Sequence, residues 1–579
     1  MSKLNIDQKT VLDLFANKHS DFLIPDYQRP YAWGEDECET LWDDLKGFTF
    51  PGNSSQEFDS NNDEYFLGPI VTFKNADGKQ EIIDGQQRLT TMMLLLRAFY
   101  TKFLHAQDDD TVDTRKLIAS CIWKTNEMGR PIFDKLKIDS EVASDDDKDE
   151  FLTILKTGEA EDSMRSRYAA VYCFFSAQIA AFVDEMPMYT AFFPMRIMKN
   201  VILLPIEAES QDTALRIFST LNDRGLPLSD ADIFKSQFYK FYSSLGKKNA
   251  FLARWKALEE GASALFRPLR GTPMDELFTR YMYYRRALDG ITGTTMVSLR
   301  DFYSGGDYAI LKNDTTLGDL EALLSFWQDI DAQTGFSDRA LKRLFVLNYS
   351  PNGMWTYLLS AWFLTRHRNG ADIDDDELCT FLDTISGFIF AYAIERPGVN
   401  ALRSPVFPEM RNIVDGKPAT FAGRLANRTA LERMFRSYAF TNGRPVTKSL
   451  LTWWAFHDER QGLIKPLATP LQIEHIYAKK RNELSPLANR SNLEALGNKS
   501  ILERSVNVRA ADFKFGDKRR LYRGYVNDKG KAMDGTSIAE LRNMAETMDD
   551  FTETDIEERT DLIIGSFMDW LESLGLLQG

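Results

Sequence analysis

A chain of 579 residues, 44% hydrophobic and 12% aromatic, carries enough apolar surface for about two to four packed domains and is not a disordered protein. Its formal net charge of −15 excludes a protein that coats nucleic acid by bulk charge alone. Four cysteines (Cys38, Cys121, Cys173, Cys379) form no CxxC pair, which excludes a cysteine-rich zinc site and fits a reducing cytoplasm. Only five histidines are present, too few for a multi-histidine metal cluster. No apolar run reaches the length of a membrane span, and Met1 to Thr10 is polar without a signal-peptide core, so a cytoplasmic location is expected.

Taken in chain order, the first 240 or so residues mix strand and helix signals. Phe22-Leu23-Ile24, Tyr65 to Phe73, Glu81-Ile82-Ile83 and Val201 to Ile206 read as short strands. Helices are expected from Leu89 to Leu104, Ser163 to Val183 and Asp212 to Leu221. The polar stretches 51–64 and 144–150 read as surface loops. Between the first strand and the helix Glu35 to Phe48, the segment Ile24-Pro25-Asp26-Tyr27-Gln28-Arg29-Pro30-Tyr31-Ala32-Trp33 is held extended by two prolines. It presents aromatic and guanidinium groups suited to stacking on a base and pairing with a phosphate. Trp33 is expected in the core behind the Leu41, Trp42, Leu45 stripe of the following helix, and Gln28 and Arg29 in a site.

Asp84-Gly85-Gln86-Gln87-Arg88 is the most informative motif. It stands where a strand turns into an apolar helix, and the free N–H groups and positive end of that helix favour an anion. Gly85 allows close approach of the backbone. A third cluster, Asn222-Asp223-Arg224-Gly225, precedes a helix capped by Ser229, and capping does not account for Asn222 or Arg224, which a loop could aim at the same anion.

From Phe251 to Asn442 the pattern is almost wholly helical, with aromatic and apolar residues at core spacing and no chemical constellation. A helix from Lys448 to Glu459 and a strand Leu471 to Ile476 follow. Glu474-His475 ends that strand, with Leu496-Gly497-Asn498 and Asn507 downstream. From Glu474 to Tyr525 twelve Lys/Arg face six Asp/Glu, a local +6 that leaves −21 for the rest of the chain. Locally basic sequence in an acidic protein allows contact with a phosphate backbone without loose global binding. A histidine, carboxylates and amides among basic residues suit phosphodiester hydrolysis. The histidine takes a proton from water, and a single divalent cation is held by a carboxylate and an amide oxygen.

In combination these motifs resemble the GmrSD-type, modification-dependent (type IV) restriction endonucleases, at both ends of the chain. The resemblance implies an α+β, predominantly helical protein. Its parts would be a ParB/sulfiredoxin-like α/β nucleotide-binding domain (1–245), a helical connecting domain (246–440) and an HNH (ββα-metal) nuclease domain with closing helices (441–579). It implies an NTP-regulated DNA endonuclease with NTPase activity, belonging to a prokaryotic anti-phage defence system and acting on foreign, modified double-stranded DNA. Gln28, Arg29, Tyr31, Asp84, Gly85, Gln86, Gln87, Arg88, Asn222 and Arg224 would bind the nucleotide, with GTP, ATP and CTP left open. His475 would be the general base, Glu474 and Asn507 ligands to Mg2+ or Mn2+, and Asn498 the residue that positions the histidine loop. Lys479, Lys480, Arg481, Lys499, Lys514, Lys518, Arg519 and Arg520 would contact DNA. One departure is Ala478, where the family often has proline. With the absence of a second histidine and the net acidity, it motivates the competing reading of a nucleotide- and DNA-binding regulator with a degenerate nuclease domain. Oligomeric state is left open, although cutting both strands with one such site needs two copies or two successive nicks.

Overall fold

The computed structural model describes residues 5–577 apart from 7, 54–57, 143–146, 161–164, 211–212, 215–216, 218–228, 399 and 511–512. It is an α+β protein dominated by helices. The chain divides into two compact units, Met1–Ala257 and Leu258–Gly579. The second unit takes in residues 258–440 of the expected helical middle together with the expected C-terminal region 441–579.

The first unit is built on a mixed seven-stranded sheet. Its strands are β1 (Asn5–Ile6), β2 (Lys9–Thr10), β3 (Phe22–Ile24), β4 (Tyr65–Lys74), β5 (Gln80–Asp84), β8 (Ile138–Ser140) and β9 (Val201–Ala208); β6 (Trp123–Thr125) and β7 (Pro131–Leu136) make a separate hairpin. The order is β1-β9-β4-β5-β3-β8, with β2 also on β9. The central β4 runs parallel to β9 and antiparallel to β5, while β3 is parallel to both β5 and β8. Residues alternate across the sheet as a strand requires. Ile70 and Ile82 face the large core, and Val71 and Ile83 join a smaller cluster with Tyr27, Phe73 and Ile206.

The helix Gln86–Lys102 lies inside the large core, and it has no polar face because every residue from Leu89 to Phe99 is buried. Around it pack the helices Glu35–Thr49, Arg167–Glu185 and Phe192–Asn200. Trp42 is an aromatic hub, with ring centroids 5.1 Å from Phe193 and 6.4 Å from Phe99 and from Phe175.

In the second unit, helix Asp375–Glu395 is, among the described residues, the only one long and apolar enough to cross a membrane. Its apolar window is 78% buried, packed against helices Asp338–Leu347, Arg428–Ser437 and Pro445–His457, so a protein core accounts for its composition. A hairpin follows, formed by β10 (Leu471–His475) and β11 (Lys499–Glu503) in antiparallel register with His475 opposite Lys499. Helix Arg504–Ala510 packs on both strands, and helix Phe515–Arg523 comes next. A small hairpin, β12 (Tyr525–Val526) with β13 (Ala532–Met533), precedes the closing helices Ala539–Thr547 and Glu553–Ser573.

Truncating the aromatic hub by Trp42→Ala is expected to destabilise the first unit by about 3–5 kcal/mol, read as a lowered urea midpoint for that unit. A midpoint equal to wild type would mean that Trp42 is not packed as described.

Candidate functional site

Two clusters expected from the sequence meet at the mouth of helix Gln86–Lys102. Gly85 closes β5 with φ 91°, and a Cβ there would stand 2.2 Å from Ile70 Cγ2, so only glycine lets the strand turn into this helix. The three glutamines act as staples. Gln28 Nε2 donates to the carbonyls of Ile82 and Ile83, each at 3.1 Å, and Gln86 Nε2 donates to Arg29 O at 2.7 Å. Gln87 Oε1 accepts from the N–H groups of Ala32 and Trp33 at 2.7 and 3.2 Å. All three side chains are buried, so their amides supply the hydrogen bonds that this extended Pro-rich segment cannot obtain from a sheet. Expected to line a nucleotide pocket, they instead spend these amide groups joining segment 28–33 to the helix mouth. Tyr31 is likewise turned inward, stacked on Tyr168 at 4.9 Å with its hydroxyl 2.6 Å from Thr91 Oγ1.

The half-buried charges at this mouth are Arg29, Asp84 and Arg88. Arg88 Nη2 donates to Asp84 Oδ2 at 3.3 Å, one helical turn back. Burial pushes the Asp84 carboxyl up, against the pull of Arg88, the Gly85 N–H and Arg29. Arg88 fits because residue 68 is glycine: a Cβ on Gly68 (φ 128°) would lie 2.0 Å from Arg88 Nη1. Two guanidiniums around one carboxylate at a helix N-terminus leave a net positive, partly open site that can receive an anion. Asn222 and Arg224 lie outside the described residues.

On the smaller face of the sheet, a cleft of about 580 Å³ is lined by Asp26, Tyr27, Glu81, Tyr239 and Lys248, among others. Asp26 Oδ2 accepts from Lys248 Nζ at 2.5 Å and from the Tyr239 hydroxyl at 3.0 Å. Tyr239 and Lys248 were not singled out in the sequence because more than 200 residues separate them from Asp26.

In the second unit, Asn498 holds the histidine loop. Its Oδ1 accepts from Tyr477 N at 2.7 Å, its Nδ2 donates to Tyr477 O at 3.2 Å and Leu493 O at 2.9 Å, and its carbonyl accepts from Ile476 N at 2.9 Å. Ala478, where proline is usual, is buried and caps helix Lys479–Leu484 in an extended conformation (φ −64°, ψ 145°), a geometry that proline also adopts. His475 is 9% exposed. Its Nε2 lies 3.4 Å from Glu494 Oε1 and, among the described residues, makes no well-formed hydrogen bond. Burial, then Lys499, push the imidazole pKa down to about 4 against the opposing pull of Glu494. Burial therefore favours the neutral form of His475 at ordinary pH.

Strand alternation separates His475 from the two expected metal ligands. On the other face of β10, Glu474 Oε1 accepts from Lys518 Nζ at 2.6 Å and from the Tyr522 hydroxyl at 2.8 Å. Asn507 Nδ2 donates to Gln472 Oε1 at 2.8 Å. A lysine ammonium thus stands against the carboxylate where a divalent cation was expected. Among the described residues, no group of three His, Cys, Asp or Glu side chains is disposed to hold a metal. The pair Glu474 and Asn507 does not fit that role as arranged.

The basic residues divide into two sets. Lys479, Lys480, Lys514 and Arg520 are exposed. Lys499 and Lys518, expected on DNA, have fully buried side chains and cannot reach it. Lys499 Nζ donates to Phe440 O, to Asn442 Oδ1 at 3.0 Å and to Glu494 Oε2 at 2.5 Å. Arg481 is tied to Asp550 by two bonds of 2.7 Å and lies over the Tyr477 ring, and Arg519 bonds Ala545 O and Asp549, each at 2.9 Å. Glu494 and Arg559 carry much of the site's order yet have no motif signature. Arg559 Nη1 donates to the carbonyls of Leu496, Gly497 and Lys499 at 3.1, 2.8 and 2.7 Å, while Glu540 holds its other nitrogens.

A hairpin and helix that present a neutral histidine beside exposed lysines have the makings of a phosphodiester-cleaving site. Comparison with known families agrees. Residues 11–239 match the N-terminal domain of the GmrSD restriction endonuclease, and residues 426–565 match the C-terminal domain of GmrSD restriction endonucleases. The chain belongs to the GmrSD restriction endonuclease family, and its activity is that of a restriction-type DNA endonuclease. The second match includes Phe440 and Asn442, which hold Lys499. No curated protein matches the chain.

A Cβ on Gly497 would lie 2.0 Å from Ile556 O and 2.4 Å from Thr560 Oγ1, where the closing helix meets the Asn498 turn. Gly497→Ala is expected to cost about 1–3 kcal/mol in urea unfolding of the second unit. An unchanged midpoint would show that helix and turn are not in contact.

Proposed function

We propose that this restriction endonuclease is an NTP-regulated nuclease of an anti-phage defence system that acts on foreign, modified DNA, with an HNH-type centre at His475. The observation that carries the reading is the placement of His475 at the hairpin end beside the Asn498 turn, its Nε2 without a well-formed hydrogen bond among the described residues. In this reading His475 takes the proton from the attacking water, while Asn498 fixes the loop that aims the ring. Lys479, Lys480, Lys514 and Arg520 would contact the DNA backbone. Dependence on Mg2+ or Mn2+ is part of the proposal; the proton-transfer role belongs to His475.

Nucleotide phosphates would be received at the mouth of helix Gln86–Lys102, by its free N–H groups with Arg29 and Arg88. Binding there would act on the 28–33 segment, which is stapled directly to the same helix turn. NTP hydrolysis at this mouth is part of the same proposal.

The test is nicking of supercoiled plasmid, modified and unmodified, with magnesium present and after chelation. His475→Ala is expected to lower the rate by about 10²–10⁴ and to leave nucleotide binding intact. Nicking by His475→Ala at the wild-type rate would contradict the assignment. Nucleotide titration by calorimetry should give a saturating heat that is lost in Arg88→Ala. Equal binding by both proteins would remove the helix mouth as the nucleotide site.

A further inference from the structure

We propose that Lys518 is a built-in cation of the nuclease site: its ammonium takes the place of a metal at Glu474 and fixes the main chain of His475, so that Glu474 is not a metal ligand. Three observations carry this. Lys518 and Tyr522 come from the same face of helix Phe515–Arg523, four residues apart, and both reach Glu474 Oε1, at 2.6 and 2.8 Å. The Lys518 side chain is fully buried and that of Glu474 is 5% exposed, so the two charges compensate each other in a region of low dielectric. Lys518 Nζ also donates to the main-chain carbonyl of His475 at 2.6 Å, which ties the ammonium to the residue that would accept the proton.

The charge balance explains why both roles cannot coexist. A divalent cation on the same carboxylate oxygen would stand within a few ångströms of a buried ammonium that has no route to water. At such separations like charges repel strongly even at the intermediate dielectric of a protein surface. The Lys518 ammonium and the Tyr522 hydroxyl both donate to Glu474 Oε1. Lys518 is a positioning residue: it acts through the His475 carbonyl and touches no substrate atom.

The inference rests on the nuclease reading of His475 only for its catalytic meaning; the cation arrangement can be tested without turnover. Binding of Mn2+ to the full chain, free of DNA and nucleotide, can be followed by the electron paramagnetic resonance signal of the free ion. Glu474→Gln is expected to leave Mn2+ affinity as in wild type, whether that affinity is strong or absent. Lys518→Met leaves a buried carboxylate without its cation, and is expected to raise Mn2+ affinity about tenfold or more. Adding Glu474→Gln to Lys518→Met should remove that gain. Weaker Mn2+ binding in Glu474→Gln alone would overturn the proposal, because Glu474 would then be a ligand in the wild-type site. So would a folded Lys518→Met protein with wild-type affinity. If Lys518→Met does not fold, Lys518→Gln, whose amide can still donate to Glu474 and to the His475 carbonyl, takes its place, and a folded Lys518→Gln protein with wild-type Mn2+ affinity would overturn the proposal. Loss of the His475 assignment would show in plasmid nicking and leave these binding results unchanged.

Discussion

A strand end that stops inside a fold must have its polar groups paired without water, and both sites of this protein depend on that constraint. At the hairpin end, Asn498 serves as a surrogate strand, satisfying both the N–H and the carbonyl of Tyr477. Lys518 takes the carbonyl of His475, and Arg559 takes three carbonyls of the adjoining turn. At the helix mouth the same task falls to Gln28, Gln86 and Gln87. A buried group left without its partner costs about 1–3 kcal/mol, so each of these side chains is fixed more tightly than an ordinary surface polar residue. Rigid backbone at both places fixes where the remaining polar groups stand: the buried His475 imidazole in one unit, and the half-buried Arg29, Asp84 and Arg88 in the other.

Charge burial follows from the same economy. The second unit hides two lysine ammoniums completely, each satisfied by a carboxylate and a main-chain carbonyl. Buried pairs of this kind contribute little net stability but make the loss of one partner severe. They are better understood as devices of orientation. Glu494 shows the point: burial pushes its carboxyl up, but the bond and charge of Lys499 together with His475 and Lys479 outweigh it and hold the carboxyl below the usual range. It remains an anion beside His475 and does not become a second acid.

Much of this was legible in the sequence, because the strongest signals are local. The strands around Phe22, Tyr65, Glu81 and Val201 and the apolar helix after Gly85 follow from residue type and periodicity. Asn498 bonds both the N–H and the carbonyl of Tyr477, two residues after His475. What was not legible depends on long-range pairing. A glutamine in a Pro-rich segment reads equally well as a ligand or a staple until its partner carbonyls, some 55 residues away, are known. Lys499 and Lys518 look like their exposed neighbours because one-dimensional charge counting cannot distinguish a lysine facing solvent from one facing Phe440 or Glu474. The glycines at 68 and 497 carry signals that only space explains, one making room for Arg88 and the other for the closing helix.

The fold holds the His475 imidazole in its neutral form, the protonation state a general base requires. The most direct measurement is the pH dependence of kcat/KM for DNA cleavage, which reports ionisation of the free enzyme. With the imidazole pushed down to about 4, its acidic form is scarce throughout the range from pH 5 to 8. No acid limb is expected in that interval, the fall beginning only as pH approaches 4. An acid limb near pH 6.5, the ordinary value for a solvated histidine, would contradict it.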